Sequence, residues 1–432
     1  MTFLISEALN YFFLRQNLFK KSVEIQELQN KKFRALIKHA YETVPYFKQK
    51  FSSLGLTPAN IKTVDDIVKI PPITKSEIQE GSLDNHLSRS YTINQCSARK
   101  TSGSTGHPFN LFIDQRGVSI SEVLWLRAFL KNGLKIRDKM IFIKNPRSLT
   151  RSMSFLQRLG IFPRDEISIF EDPEKQLLKL SAYKPDVIRT WTSCLSVLAR
   201  RYDRSLNINP RMIFTSAEFL DNYTRKYIED IFDSKVFDYY SCEEFGLMGW
   251  ECSKHDGYHI NSDSLIIEFL KDDAPAEVGE RGEIVVTHLD NFAMPFIRYK
   301  LGDIGVLSDD VCTCGLTLPK IKFVEGRNDD FLVALNGDWM SARTVSDVLE
   351  YSTDDYKGLI QYRIEQIEKD KIKIMLKVNN LFNSEESFHK VEVEMKKYLG
   401  EDMDIDIRLV DDIPADKSGK IRKVISTIKT SL

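Results

Sequence analysis

The chain has 432 residues, of which 42% are hydrophobic and 28% are charged, and its 61 basic and 62 acidic residues leave a formal net charge of -1. This length exceeds what one hydrophobic core usually holds, and the composition excludes global disorder. The balanced charge gives no support for broad binding to nucleic acid or acidic membranes. We therefore expect a globular protein with a large domain and at least one smaller domain.

The N-terminal segment 1–14 is apolar in places, but it contains Glu7 and Asn10 and lacks the basic start of a signal peptide. No window approaches the ~18 uninterrupted apolar residues of a spanning helix, so we expect no integral membrane segment and a cytoplasmic location. Apolar residues at helical spacing, such as Leu4 and Phe12, favour a helix packed on its own domain. Docking of this segment to a membrane or a partner is the alternative.

Strand-like apolar runs alternate with amphipathic helical stretches in the middle of the chain. Residues 139–143 and 187–189 have the pattern of strands, and residues 176–183 and 194–199 have the pattern of helices. Such alternation predicts an α/β fold class.

The character of the sequence changes near residue 326, where the polar, glycine-led segment 326–330 indicates a hinge. Alternating apolar and lysine residues over 371–378 then predict a half-exposed strand. Apolar residues on one face of 385–399 predict a helix that ends at Gly400. We therefore predict two domains, 1–326 and 327–432, the second being a small α+β unit.

Residues 101–106 read Thr-Ser-Gly-Ser-Thr-Gly, with two glycines and four hydroxyl residues. Such a segment can turn sharply and point N–H groups and hydroxyls at an anion. It is not a Walker loop, because the Gly-Lys-Ser/Thr ending is absent. Taken alone, this segment is an ordinary Ser/Gly turn more often than a nucleotide site, so the motifs that accompany it decide its meaning.

Six short motifs follow one another along the chain, at 101–106, 216–218, 240–244, 298–303, 326–330 and 418–420. In this order they resemble the adenylate-forming superfamily of acyl-CoA synthetases, luciferases and peptide-synthetase adenylation domains. The resemblance is specifically to the phenylacetate-CoA ligase-like branch, which includes homologues in capsular polysaccharide biosynthesis. It implies a large N-terminal adenylate-forming domain and a small, mobile C-terminal lid domain.

The resemblance implies an ATP site. The first two motifs would supply phosphate-binding and other nucleotide-binding residues, namely Ser102, Gly103, Ser104, Thr105, Gly106, Ser216 and Glu218. Tyr240 would pack on the adenine, Asp303 would accept hydrogen bonds from the ribose hydroxyls, and Arg327 would also contact the nucleotide.

The same resemblance implies two catalytic residues, Glu244 and Lys420. Glu244 matches the acid linked to Mg²⁺, which prefers carboxylate oxygens, and Thr105 would lie near the same ion. Lys420 would offset the repulsion between the attacking carboxylate and the α-phosphate, an effect worth on the order of 10²–10³ in rate. Asp329 would be the hinge that moves Lys420 in for adenylation and out for the second half-reaction.

Without the other motifs, Lys420 is better explained as a solvent-exposed lysine in a basic tail. The chain also departs from the family, with His107 in place of a lysine and with Ser241 and Glu243 in place of a glycine and a threonine. Lys300 and Leu301 replace the usual residues before Gly-Asp. A nucleotide-binding homologue without turnover is therefore an alternative, against which the matching catalytic residues argue.

Four metal-ligating residues give an independent signal. Cys252 and His255 form a Cys-x-x-His turn, and Cys312 and Cys314 form a Cys-x-Cys turn. Three thiolates and one imidazole suit a closed tetrahedral site, so we predict structural Zn²⁺ with these ligands. His259 is the rival fourth ligand, and ordinary buried cysteines in a reducing compartment are the alternative to a metal.

The expected function is that of an acid–thiol ligase that uses ATP and Mg²⁺. It would convert a small-molecule carboxylic acid to an acyl-adenylate, release pyrophosphate and pass the acyl group to a thiol, coenzyme A being the expected one. Transfer to an amine, giving an amide in polysaccharide or small-molecule biosynthesis, is the alternative. Residues 191–193 fall where the family often forms part of the acyl pocket, but aromatic residues there are more often core, so Trp191 is assigned no catalytic role. A homodimer is left open.

Overall fold

The computed structural model describes residues 2–100, 109–146, 155–327, 331–353, 358–415 and 420–428, with the backbone alone at 2–8, 155–156, 327 and 350. The chain forms two compact units. Unit 1 comprises Met1–Leu134 and Tyr239–Val324, and unit 2 comprises Lys135–Asp238 and Glu325–Leu432.

The helices are α1 (Thr2–Asn17), α2 (Ser22–Thr43), α3 (Pro45–Ser53), α4 (Lys75–Glu80), α5 (Leu83–His86), α6 (Gln115–Lys131), α7 (Phe155–Arg158), α8 (Pro173–Tyr183), α9 (Thr192–Arg201), α10 (Asn222–Phe232), α11 (Ala342–Ser352) and α12 (Ser384–Leu399). The strands are β1 (Cys96–Lys100), β2 (Asn110–Asp114), β3 (Met140–Lys144), β4 (Arg164–Ser168), β5 (Val187–Trp191), β6 (Met212–Ser216), β7 (Lys235–Cys242), β8 (Gly246–Trp250), β9 (Tyr258–Ile260), β10 (Leu265–Lys271), β11 (Ala274–Pro275), β12 (Arg281–His288), β13 (Tyr299–Ser308), β14 (Lys320–Arg327), β15 (Leu332–Val333), β16 (Trp339–Met340), β17 (Leu359–Glu368), β18 (Lys371–Val378), β19 (Asp404–Leu409) and β20 (Val424–Ser426).

Unit 1 is built on strands in the order β11-β10-β12-β13-β14-β9-β8-β7, beside the hairpin β1-β2. The pairs β10–β12, β12–β13 and β8–β9 are antiparallel. Helix α2 buries five side chains at helical spacing, Ile25, Phe33, Leu36, Ile37 and Ala40. All but Ile25 join a core with sheet residues such as Ile284 and Val286 of β12.

A buried ion pair fixes the N-terminal helix in unit 1. The guanidinium of Arg127, on α6, donates to the carbonyl oxygen of Leu14 at 2.6 Å and to the carboxylate of Asp263 at 2.7 Å. Leu14 packs with apolar residues of α6, so α1 lies on its own unit, while Phe12 and Phe13 are exposed. Among the described residues, no helix is both long and apolar enough to span a bilayer.

Unit 2 contains the strands β6-β5-β3-β4 in this order. Strand β3 pairs in parallel with β4 and β5, and β5 pairs in parallel with β6. Helices α8, α9 and α10 cover one face, where Ile141, Ile188 and Leu195 belong to one core. Parallel strands bring their carboxyl ends to one edge, which is where open α/β sheets hold their ligands.

The C-terminal part of unit 2 has a four-stranded sheet in the order β19-β18-β17-β20, with α11 and α12 packed on it. Its core includes Ile374 of β18 and Val391 and Met395 of α12. Gly400 ends α12 with a φ of 109°, a conformation that glycine adopts readily. The predicted strand at 371–378 and helix near 385–399 are therefore present, and the α/β fold class with a C-terminal domain is confirmed.

The units do not follow the predicted division at residue 326. One change of unit falls between Val324 and Glu325, close to that boundary, but the C-terminal part groups with Lys135–Asp238. The physical reason is a set of contacts, described below, between residues 420–423 and the ends of β5 and β6. The division into domains 1–326 and 327–432, with the second mobile, stays a prediction.

The Arg127–Asp263 pair predicts a large loss of stability. Arg127→Met should lower the free energy of unfolding of unit 1 by about 3–5 kcal/mol, because the fully buried carboxylate of Asp263 loses its charged partner. Urea unfolding followed by tryptophan fluorescence measures the change. Arg116→Met is the control. Arg116 is 61% exposed and pairs with the carboxylate of Asp290, which keeps Lys32 as a partner when Arg116 is replaced. Equal effects of the two substitutions would contradict this account.

Candidate functional site

The carboxyl edge of the parallel strands in unit 2 carries the half-buried carboxylate of Glu218. Its oxygens accept hydrogen bonds from the backbone N–H of Ser193 at 2.7 Å and from the Ser193 hydroxyl at 2.9 Å. Because Ser193 lies in the first turn of α9, this carboxylate satisfies an N–H group at a helix N-terminus, where negative charge is stabilised. Glu218 therefore links the end of β6 to the start of α9.

The backbone leading to Glu218 is strained. Ala217, between Ser216 at the end of β6 and Glu218, has a φ of 73°. A residue with a Cβ atom is unfavourable in this region, and such residues concentrate at functional sites. The 216–218 motif is thus held in a conformation that its contacts must stabilise.

The same carboxylate also holds the C-terminal segment. The backbone N–H of Ile421 donates to Glu218 at 3.2 Å, and the neighbouring Lys420 places its Nζ 5.7 Å from the centroid of the Trp191 ring. Burial raises the pKa of Glu218 above its ordinary value, although the hydrogen bonds from Ser193 and Ile421 and the charge of Lys420 oppose this rise. The structure therefore brings the predicted residues Glu218 and Lys420 together, with Ser216 next to them on β6.

A second carboxylate, that of Asp221, lies three residues further on and forms an ion pair with Lys423. Asp221 also caps α10 by accepting from the backbone N–H of Thr224 at 2.7 Å. Burial acts to raise the pKa of Asp221, but the charge and hydrogen bond of Lys423 outweigh it and hold the pKa below its ordinary value. Lys423 also lies 5.3 Å from the centroid of the Tyr362 ring, so the pair joins three segments of unit 2.

Sequence reasoning missed Asp221, Lys423 and Ser193. The signal for Asp221 was its place just before the helix Asn222–Phe232, which is typical of an N-cap. Lys423 lies in the basic segment around Lys420, where charged residues are usually solvated, whereas its side chain is only 23% exposed. No local pattern indicates that these two residues, 202 positions apart, form a pair.

In unit 1 the structure pairs two further predicted residues. The hydroxyl of Tyr240, on β7, donates to the carboxylate of Asp303, on β13, at 2.7 Å. Glu244 is half-buried in the turn between β7 and β8. Tyr240 and Asp303 thus form one polar pair, in which the ring is oriented by the carboxylate.

Several predicted residues cannot be placed. The phosphate-loop residues Ser102, Gly103, Ser104, Thr105 and Gly106 lie outside the described residues, as does Asp329. Arg327 is described by its backbone alone, at the end of β14.

Three cysteines and one histidine cluster in unit 1. The ligand atoms of Cys252, His259, Cys312 and Cys314 all lie within 4.8 Å of one another. The Sγ atoms of Cys252 and Cys312 are 3.6 Å apart, and the Sγ of Cys314 lies 3.3 Å from Nε2 of His259. This donor set fits a closed tetrahedral Zn²⁺ site.

The histidine of this cluster is prepared for a metal by its surroundings. Its Nδ1 lies 3.4 Å from the carbonyl oxygen of Leu318, which favours a proton on Nδ1 and leaves Nε2 for a ligand role. Burial lowers the pKa of His259 to about 4, so the ring is neutral near pH 7, the form that binds metals.

The histidine in this cluster is His259 and not the predicted His255. The Nδ1 of His255 instead lies 3.3 Å from the carboxylate of Glu251, in a turn where His255 has a φ of 51°. Strand β9 explains the difference, because it pairs His259 with Lys320 and so carries it to the segment that follows the Cys312–Cys314 turn.

The Asp221–Lys423 pair predicts how firmly the C-terminal segment is held. Asp221→Asn keeps a capping group for α10 but removes the charge, so we expect the Ile421 amide to exchange its hydrogen about tenfold faster, which corresponds to about 1.4 kcal/mol. Hydrogen–deuterium exchange resolved to single residues measures this. Because the folded-state pKa of Asp221 is lowered, its contribution is present above the unfolded pKa and is lost as pH falls through the folded value.

The control is Asp412→Asn, which removes an exposed carboxylate that pairs with Lys377 in the same unit. It should leave the exchange of the Ile421 amide unchanged. An unaltered rate in Asp221→Asn would mean that the pair does not hold the segment.

The chain is similar in sequence to known proteins. A family model described as the CapK C-terminal domain matches residues 332–427. Phenylacetate-coenzyme A ligase of Escherichia coli is 24% identical over 416 residues, covering 90% of this chain and 92% of that protein. Protein CapK of Staphylococcus aureus is 23% identical over 427 residues, covering 94% and 90%.

The fold has solved counterparts. A crystal structure of 2-hydroxyisobutyryl-CoA ligase, in the postadenylation state with 2-HIB-AMP, superposes with a TM-score of 0.78 at 18% identity and covers 95% of this chain and 91% of that one. The resemblance inferred from the motif series is confirmed: the chain is similar over most of its length to proteins of the phenylacetate-CoA ligase-like branch, and it shares the fold of a solved acyl-CoA ligase.

Proposed function

We propose that the protein is an AMP-forming acid–thiol ligase. It activates a carboxylic acid with ATP to an acyl-adenylate, releases pyrophosphate and transfers the acyl group to a thiol, coenzyme A. The observation that carries this proposal is the position of Lys420, held over Trp191 at the carboxyl edge of the parallel strands by the backbone hydrogen bond from Ile421 to Glu218. The similarity over 90% of the chain to a phenylacetate-coenzyme A ligase supports it.

Lys420 lowers the barrier of the first step by electrostatics. A carboxylate oxygen of the acid bonds to the α-phosphorus, and the bond from that phosphorus to the bridging oxygen breaks as pyrophosphate leaves. Both reactants are anions, so their approach is repulsive, and a positioned ammonium at a half-buried site offsets that repulsion more strongly than water does. Glu218 holds the backbone next to Lys420, which makes it a positioning residue.

Residues of unit 1 bind the nucleotide in this proposal. The Tyr240 ring packs on adenine, and the Asp303 carboxylate orients that ring through its hydroxyl while accepting hydrogen bonds from the ribose. Glu244 and Thr105 would hold Mg²⁺, which neutralises phosphate charge. Glu244 fits this role as a half-buried carboxylate in a turn, since Mg²⁺ prefers hard oxygen ligands.

The acyl acceptor has one rival to coenzyme A, an amine. Release of AMP in the presence of the activated acid should depend on coenzyme A. Release that depends on an amine instead would identify an amide-forming ligase.

Loss of Lys420 should abolish the first half-reaction. With an acid that supports exchange of labelled pyrophosphate into ATP, Lys420→Ala should lower the exchange rate by on the order of 10²–10³ while ATP binding stays near the wild-type value. Exchange with Mg²⁺ and without coenzyme A isolates this step. Lys377→Ala is the control, since Lys377, on β18, pairs with the exposed carboxylate of Asp412.

Wild-type exchange by Lys420→Ala would contradict the role of the lysine. If aromatic, aliphatic, amino and sugar acids all fail to support exchange in the unmodified protein, despite measurable ATP binding, the result favours a nucleotide-binding homologue without turnover.

We infer that the cluster of Cys252, His259, Cys312 and Cys314 holds a structural Zn²⁺. The geometry of the donor atoms and the neutral His259 ring support this inference. Such a metal would tie the turn after β8 to the turn before β14, and its binding free energy would add to the stability of unit 1.

The zinc inference separates two histidines. His259→Gln should lose most of the zinc and lower the melting temperature, because one of four ligands is removed, whereas His255→Gln should keep the wild-type zinc content. Elemental analysis of protein purified without chelator, together with thermal unfolding, measures both. Zinc loss in His255→Gln but not in His259→Gln would contradict the assignment.

A further inference from the structure

Three cations surround one aromatic ring and one carboxylate in unit 2. The Nζ of Lys144 lies 2.9 Å from the Glu166 carboxylate, and a guanidinium nitrogen of Arg164 lies 3.5 Å from the same oxygen. The guanidinium carbons of Arg164 and Arg189 lie 5.1 and 5.2 Å from the centroid of the Phe142 ring. Lys144 and Arg164 therefore share the carboxylate of Glu166, and Arg189 is the third cation, on the Phe142 ring.

All five side chains lie on one face of the sheet. The parallel pairing sets Phe142 opposite Glu166 on β4 and opposite Arg189 on β5. Residues two apart on a strand point to the same side, so Lys144 and Arg164 join them. The opposite face carries Ile141, Ile143 and other core residues that pack against α8, α9 and α10. The cluster therefore does not belong to that core.

The cations are only partly solvated. The side chain of Lys144 is 24% exposed and that of Arg164 is 31% exposed, and Glu166 is nearly buried at 9%. Two cations that share one carboxylate leave an excess of positive charge, which is unfavourable away from water unless an anion compensates it. Desolvation, together with the neighbouring arginines, also lowers the pKa of Lys144 despite its pairing with Glu166.

The cluster adjoins the Lys420 site along the sheet. Strands β3 and β5 are in register from Met140 opposite Val187 to Phe142 opposite Arg189. Two residues further along, at the carboxyl ends of these strands, are Lys144 and Trp191. Trp191 is the residue over which Lys420 lies. The cationic cluster thus lies at the same sheet edge as the Trp191 ring over which the Lys420 ammonium is placed.

We propose that the acid activated by this protein is a dicarboxylic acid, whose distal carboxylate is bound by Lys144 and Arg164 while the other carboxylate is activated beside Lys420. This inference rests on the proposed function. A planar guanidinium and an ammonium match a carboxylate well, and their excess positive charge favours an anionic tail over an apolar one. The cluster then acts as a specificity determinant within the acyl site.

The test compares acids of equal chain length in pyrophosphate exchange, namely succinate with butyrate, glutarate with pentanoate, and adipate with hexanoate. For at least one pair, the diacid should have a kcat/KM at least about tenfold above that of its partner, since a site built to pair a charged group rejects the analogue that lacks it. Lys144→Met should lower kcat/KM for that diacid by roughly 10- to 100-fold and leave the monoacid unchanged. Lys144→Arg should restore much of the preference.

Lys139→Met is the matched control. Lys139 immediately precedes the same strand, but its ammonium lies 5.0 Å from the Tyr183 ring instead. This variant should keep the preference for the diacid. Thermal unfolding of each variant checks that the fold is retained, as expected because Arg164 still pairs with Glu166 in Lys144→Met.

Each remaining outcome is decisive. Monoacids that exchange as well as their diacid partners, or an equal loss of both in Lys144→Met, would overturn the dicarboxylate inference and leave the proposed function standing. In the complete reaction with coenzyme A, Lys144→Met could instead change the KM for coenzyme A and leave the preference between diacid and monoacid unchanged. That result would assign the cluster to the acceptor and would also overturn the dicarboxylate inference. No exchange with any acid would contradict the proposed function and this inference together.

Discussion

A carboxylate removed from water must be compensated, and unit 2 compensates two of them with its own C-terminal segment. Glu218 receives the backbone N–H of Ile421, and Asp221 receives the ammonium of Lys423. Lys420 lies next to Ile421, so the contacts that satisfy these carboxylates also fix the ammonium proposed to act on the substrates. Neither carboxylate has a catalytic role in this scheme, yet both set the position of the group that does.

The parallel strands supply the rigid part of this arrangement. Trp191 ends β5, Ser216 ends β6 and Lys144 ends β3, so one sheet edge presents the surface under Lys420, the start of the strained 216–218 turn and a cationic cluster. The left-handed conformation of Ala217 is stabilised by the contacts of its neighbour Glu218, whose carboxylate accepts a hydrogen bond at the start of α9. Such an edge can hold an acid at both ends, with one carboxylate near Lys420 and a second near Lys144.

The sequence predicted features that leave a local pattern, and features that follow from the order of motifs along the chain. The strand at 371–378 and the helix at 385–399 follow from periodicity, and three of the four clustered metal-ligating residues follow from short spacings. His259 was only the rival ligand, because its place depends on the pairing of β9 with β14 and not on its distance from Cys252 in sequence. The Asp221–Lys423 pair and the grouping of the C-terminal part with Lys135–Asp238 depend on contacts between distant segments, which leave no pattern in either segment alone.

The central claim is that Lys420 acts on the phosphates of ATP. An ATP analogue that carries a reactive aldehyde in place of its terminal phosphate forms an imine with a nearby lysine, and borohydride reduction fixes the product for peptide mass spectrometry. We predict that the label falls on Lys420, that excess ATP prevents it, and that Asp221→Asn reduces it. An ATP-protected label on another lysine, with Lys420 unmodified, would contradict the claim.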